Sequence, residues 1–147
     1  MPVFHDQKTL PYSPIQVFEL VADIGSYQDF LPWCKQSRII KREGNMAVAD
    51  LTIAFKGFSS MYTSEVFFIP PTVTTPGEVK AISINGPFKQ LTSTWFIAPD
   101  PAGSLIDFRV EFTFNSGLLE AMLGGVFTRA QEKLIAAFLE RAHTLYG

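Results

Sequence analysis

Hydrophobic positions change period twice along the chain, and each change marks a new kind of element. In "SPIQVFELVADIGSYQDFLPW", Ser13 stands as an N-cap, Pro14 takes the first helical position and Gln16 follows at capping-box spacing. Ile15, Phe18, Leu20, Val21 and Ala22 give this helix its apolar face until Asp23-Ile24-Gly25 breaks it. Ser26 and Asp29 repeat the cap pattern and predict a short second helix, which Pro32 ends. Ahead of the pair, Val3 to Leu10 has the β-branched and aromatic character of one strand.

After Pro32 the period becomes two. "RIIKREGNMAVADLTIAFKG" predicts a hairpin about Glu43-Gly44-Asn45, with Ala49, Leu51, Ile53 and Phe55 on one face of its second arm. "SMYTSEVFFIPP" and "EVKAISIN" predict two more strands, the first ended by Pro70-Pro71, and Asn85-Gly86-Pro87 a turn. Leu91, Trp95 and Ile97 share a face in the next strand. In "LIDFRVEFTF", Ile106, Phe108, Val110, Phe112 and Phe114 alternate with Asp107, Arg109, Glu111 and Thr113, which predicts a strand with one buried and one solvated face.

From residue 118 to 146 the period turns helical, with Leu119, Met122, Leu123, Val126, Phe127, Ala130, Leu134, Ala137, Phe138 and Leu145 in one broad stripe. A continuous helix of about 29 residues would span roughly 43 Å, longer than a sheet strand needs as cover, so its middle can stand over a cavity. Strand, two short helices, a run of antiparallel strands and a long helix make an α+β fold.

Composition sharpens this picture. The 147 residues fit one domain, 1–147. They are 47% hydrophobic and 14% aromatic, with 14 phenylalanines, and only 18% charged against about 25% in ordinary domains. That excludes disorder and supplies either a cavity wall or a solid Phe-rich core. A net charge of -2 argues against general nucleic-acid affinity, and no DNA partner is expected. One cysteine with His5 and His143 supports neither an internal disulfide framework nor a metal site. The N-terminus lacks a signal-peptide pattern and no stretch reaches the length of a spanning helix, so the expectation is a cytoplasmic, non-integral protein, with peripheral contact at the inner membrane left open.

The order of elements, with "DIGSYQDFLPWC", "LTSTW", "DFRVEFTF" and the ending "AFLERAHTLYG", resembles the coenzyme-Q-binding START-domain family of the polyketide cyclase/START-like superfamily, which also includes the ribosome association toxin. The resemblance covers nearly the whole chain. It implies a helix-grip fold, with a curved antiparallel sheet of about seven strands wrapped around a long C-terminal helix. It also implies a ubiquinone-binding protein that supports respiration without catalysing a reaction and needs no catalytic cofactor. The toxin branch implies a partner in the large ribosomal subunit, and related cyclases imply an enzyme.

A nucleophilic Cys34 needs a base or a positive field, but Lys35 would alternate to the opposite face and neither histidine is near in sequence, so Cys34 reads as packing. Asp107 and Glu111, with Arg109 between them, read as a solvated charge ladder, and Glu65 is similar; no catalytic residue is assigned. Lys35, Arg38, Lys41 and Arg42 hold four of the 12 basic residues. They guard an edge strand against aggregation, or contact an anionic membrane or ribosomal RNA. Gly124-Gly125 is expected to interrupt the long helix as a kink, a close helix–sheet contact or room for an isoprenoid tail.

Phe55, Trp95, Phe108, Phe112, Met122 and Phe127 lie on predicted inward faces, and Phe30, Leu31 and Trp33 form, with Tyr27, a lid at the end of the sheet; the first six with Phe30, Leu31 and Trp33 are the candidate ligand contacts. A buried Trp95 needs a partner for its indole N–H, which a quinone carbonyl or a backbone carbonyl can supply. Each buried methylene contributes about 0.8 kcal/mol, so an isoprenoid tail needs no charged partner. The leading expectation is a non-catalytic carrier of a hydrophobic lipid in an internal tunnel; a ribosome-directed protein and a cyclase-type enzyme are the alternatives.

Overall fold

The computed structural model of the protein describes residues 3–55 and 57–147. Its elements are β1 (Val3–Leu10), α1 (Pro14–Ala22), a 3-10 helix (Ile24–Asp29), β2 (Cys34–Glu43), β3 (Met46–Phe55), β4 (Phe58–Ile69), β5 (Gly77–Ser83), β6 (Phe88–Asp100), β7 (Gly103–Phe114), α2 (Gly117–Glu132) and α3 (Leu134–Tyr146). The strands form one curved antiparallel sheet in the order β1-β7-β6-β5-β4-β3-β2. Every pairing but one joins strands that follow each other in sequence; the exception is β1 on β7, which brings the N-terminus beside the last strand. This is the expected α+β helix-grip arrangement.

The local signals act largely as their chemistry requires. Ser13 accepts from the Gln16 N–H at 3.3 Å and the Gln16 side chain accepts from the Ser13 N–H at 3.1 Å, completing the capping box. The buried face of α1 is Val17, Phe18, Leu20, Val21 and Ala22; Ile15, expected on it, is exposed. The second short helix is a 3-10 helix that begins at Ile24, directly after α1, so Ser26 is not its cap. The Ser26 hydroxyl instead donates to Asp23 at 2.7 Å. Gly86, at φ +63, makes the tight turn between β5 and β6; a Cβ there would lie 2.5 Å from the Met61 carbonyl, so only glycine fits.

The long helix departs from expectation. It is two helices end to end, interrupted at Lys133, whose N–H is shared between the carbonyls of Ala130 and Gln131. Gly124 and Gly125 lie inside regular α2, where a Cβ on Gly125 would meet nothing within 4 Å and one on Gly124 only the Glu120 side chain at 3.5 Å. They make neither a kink nor a close approach to the sheet. The break follows from packing: α2 lies on β7 and β1, α3 lies against α1, and one straight rod cannot follow both.

Because both glycines are unconstrained, the double variant Gly124→Ala/Gly125→Ala gains helix propensity without a clash. It should be more stable by about 1–2 kcal/mol in urea denaturation; a loss of stability would show that the open space at these positions is needed by the fold.

Candidate functional site

The inner face of the sheet has a band of small side chains. Antiparallel register aligns Ser93, Ala81, Val66 and Ala47 across β6, β5, β4 and β3. The neighbouring pair Ala49–Ser64 continues the band. Large side chains border it, with Trp95 opposite Phe108 on one side and Leu91 opposite Phe112 on the other. Facing helices carry Phe127 and Phe138, which reach the sheet and lid, while between them the small band leaves space unfilled. The result is a cavity of about 110 Å³, part of it open to solvent.

Of the residues predicted from sequence, Leu31, Trp33, Trp95, Phe108 and Phe127 line this cavity. Phe30, Phe55 and Phe112 stand one layer back. Phe30 packs on Phe138 at 5.0 Å beneath the Arg141 guanidinium, Phe55 on Phe127 at 6.3 Å, and Phe112 on Phe127 at 4.6 Å. Met122 is a correction: it is 57% exposed on the outer side of α2, because the inward stripe runs through Leu123, Phe127, Ala130 and Gln131. The helical stripe in the sequence was wider than the face that packs.

The segment Tyr27 to Cys34 is fastened over one end of the cavity. The Ser37 hydroxyl accepts from the Gln28 N–H at 3.1 Å and donates to the Gly25 carbonyl at 3.2 Å, while the Gln28 side chain accepts from the Ser37 N–H at 3.0 Å. Tyr27 donates its hydroxyl to the Val21 carbonyl and packs edge-on against Phe138 at 5.3 Å. Half-buried Trp33 lines the cavity within this segment.

Sequence reasoning missed four polar residues of the wall: Tyr62, Ser64, Ser93 and Gln131. The available signal was the register, which puts Tyr62 and Ser64 on the inner face of β4 and Ser93 on that of β6. Gln131 interrupts an apolar stripe. Among the described residues, no Asp, Glu, Lys, Arg or His lines the cavity. Burial raises the Tyr62 hydroxyl well above the ordinary tyrosine value, with the nearby Cys34 adding to it, and burial raises Tyr27 likewise. Cys34, whose thiol donates to the Gln36 carbonyl at 3.5 Å, is pushed up to about 11 by burial, with hydrogen bonds to Ser37 and Gln36 opposing the shift. These groups therefore remain protonated and neutral near pH 7.

Charge is kept on the outside. Lys35, Arg38, Lys41 and Arg42 lie along β2, an edge strand with register shifts at Cys34/Gln36 and Ile39/Lys41. Arg38 lies 3.9 Å from Asp50, Lys41 3.6 Å from Glu43, and Arg42 covers the Phe68 ring at 4.7 Å. On the outer face of β7, Asp107 accepts from Gln7 at 2.7 Å and bonds His5 at 2.8 Å, and the Gln7 bond leads in holding its carboxyl below the usual range. Arg109 pairs with Glu111 at 3.1 Å. These carboxylates form surface pairs away from the cavity.

The cysteine's position gives a direct check. Since its thiol is raised from 9.0 to about 11, the thiolate fraction at pH 8 falls about 100-fold. Because the higher-pKa thiolate is also the stronger nucleophile, disulfide-exchange labelling of Cys34 should be slower than in urea-unfolded protein by at least about tenfold, and should accelerate about tenfold per pH unit up to pH 10; equal rates in the two states would contradict the buried placement.

Known proteins share both sequence and shape with this one. The chain is 40% identical over 141 residues to the ribosome association toxin RatA of Rickettsia prowazekii, covering 95% of this chain and 94% of that one. It is 28% identical over 149 residues to the mitochondrial coenzyme Q-binding protein COQ10 homolog B of Xenopus laevis, covering 98% of this chain but 59% of that protein. In shape it matches an aromatase/cyclase from a Streptomyces species with a TM-score of 0.83 at 16% identity, covering 97% of this chain and 93% of that one. That likeness is one of fold. Residues 10–139 match the polyketide cyclase/dehydrase and lipid transport family, and the chain belongs to it.

Proposed function

We propose that the protein is a non-catalytic carrier that takes an uncharged hydrophobic molecule, ubiquinone in our reading, into the cavity between the sheet and α2–α3. The observation that carries this reading is the wall itself. It is mostly apolar and, among the described residues, free of any charged side chain, so it favours transfer of an apolar chain out of water. Protonated Cys34 and Tyr62 offer hydrogen bonds but no nucleophile or base, which supports binding over catalysis. Similarity to a coenzyme Q-binding protein supports the quinone as occupant. No helix among the described residues is long and apolar enough to cross a membrane; in this reading the basic edge β2 makes transient contact with an anionic membrane surface where the lipid is exchanged.

A second reading, association with the large ribosomal subunit, is favoured by the 40% identity to a ribosome association toxin. The same β2 edge is the surface that would meet ribosomal RNA. The two readings separate in one preparation of purified protein, by mass spectrometry of an organic extract and by co-sedimentation with large subunits across a salt series. A co-extracted quinone supports the carrier; an empty protein that sediments with subunits in a salt-dependent manner supports the ribosome reading.

Filling the cavity tests the carrier further. Ala81→Leu combined with Ser93→Leu places two larger side chains over the small band, and should abolish co-extracted lipid while the melting temperature stays within a few degrees. A folded double variant that retains its lipid would place the ligand elsewhere.

A further inference from the structure

Outside the lid and its neighbours, the strongest unexplained feature is the set of polar groups within the apolar wall. Ser64 is 3% exposed and Gln131 is 6% exposed, and both line the cavity. Among the described residues, neither side chain makes a hydrogen bond to another protein group, and the Tyr62 hydroxyl makes none either. Comparable residues nearby are satisfied: the Ser83 hydroxyl donates to Asn85 at 3.2 Å, the Ser37 hydroxyl bonds both Gln28 and Gly25, and Tyr27 bonds the Val21 carbonyl. The polar atoms of Tyr62, Ser64 and Gln131 are reachable from the cavity, unlike the sealed, unpartnered Glu120 Oε2 and Arg141 Nε, so a molecule inside the cavity can partner them. A set of them around one space therefore points to a partner that enters that space.

The geometry points to a polar subsite in which the Tyr62 hydroxyl, the Ser64 hydroxyl and the Gln131 amide together bind the carbonyl or hydroxyl oxygen of an uncharged, otherwise apolar ligand. The inference rests on the carrier reading and adds which end of the ligand is recognised and by what. Tyr62 and Ser64 alternate along the inner face of β4, so both point to the same side. Gln131 comes from the opposite wall, in the turn before the helix break at Lys133. The three supply hydroxyl and amide N–H donors together with an amide carbonyl acceptor, a combination that suits a carbonyl or an alcohol. Among the described residues of the cavity wall, a carboxylate or phosphate would find no cation and an ammonium no anion, so either would be desolvated without compensation.

The test uses the full chain and three small probes on one scaffold: tetramethyl-1,4-benzoquinone, 1,2,4,5-tetramethylbenzene and 2,3,5,6-tetramethylbenzoate. The quinone has no unsubstituted ring carbon, so it does not add to Cys34 in the manner of simpler quinones. Equilibrium dialysis of the unliganded protein should give quinone binding on the order of tenfold tighter than the hydrocarbon and no detectable benzoate binding. Tyr62→Phe and Gln131→Leu should each weaken the quinone several-fold and leave the hydrocarbon unchanged, which also shows that the cavity has survived the substitution. Equal binding of quinone and hydrocarbon would overturn the subsite while leaving the carrier reading standing. Benzoate bound as tightly as the quinone would overturn the subsite's preference for an uncharged ligand. Failure of both neutral probes to bind the unliganded protein would overturn carrier and subsite together.

Discussion

Two phenylalanines hold the C-terminal helices away from the middle of the sheet, and the cavity depends on that separation. Phe127 sits among Phe55, Phe88, Phe112 and Phe114, with ring centroids 4.6–6.3 Å away. Phe138 sits among Tyr27, Phe30 and Trp95 at 4.9–5.3 Å. Along a helix these two positions lie roughly 16 Å apart. Each aromatic contact of this kind adds about 0.5–1.5 kcal/mol to the effect of burial, so both ends are strongly held. Between them the sheet offers Ala81, Ser64 and Ser93, which are too short to reach Gln131 and Leu134 above. A well-packed interior usually closes such a gap; here the two aromatic clusters prevent the helices from descending.

The same arrangement accounts for the lid. Phe138 is shared between the helix, Trp95 of the sheet and the Tyr27–Phe30 pair, so α3, β6 and the 3-10 helix meet at one side chain. The Gln28–Ser37 hydrogen bonds then fix the lid to β2. Leu31, Trp33 and Cys34 reach the cavity because the chain is held on both sides of them. The helix break at Lys133 lies between the two aromatic clusters, where the helix has lost direct support from the sheet.

Electrostatics divides the molecule in the same way. Ion pairs occupy the outer face of β7 and the β2 edge, where water screens them. The cavity has hydroxyl, thiol, indole and amide groups, all neutral near pH 7. A space with this wall can orient a polar neutral group but has no fixed charge with which to stabilise a developing ion. The chemistry of the interior thus suits holding a molecule, and the chemistry of the exterior suits meeting a charged surface.

The sequence by itself determined the elements and their order. Alternation in "LIDFRVEFTF" specified β7, the Ser13-Pro14-Gln16 cap specified the start of α1, and short turns between successive strands left an antiparallel sheet as the simple outcome. These signals are local, because cap geometry and a two-residue side-chain period are properties of a few adjacent residues. Which inward residues face empty space, and which face other side chains, only the tertiary structure decided. Phe112 and Phe108 follow the same alternation on β7, yet Phe108 lines the cavity and Phe112 is sealed under Phe127. Tyr62, Ser64, Ser93 and Gln131 became a site only when register aligned strands distant in sequence and the helices settled on the two aromatic clusters. The helix break likewise lies at Lys133 and not at the glycines because α2 packs on β7 and β1 while α3 packs on α1, a change of partner that no window of adjacent residues contains.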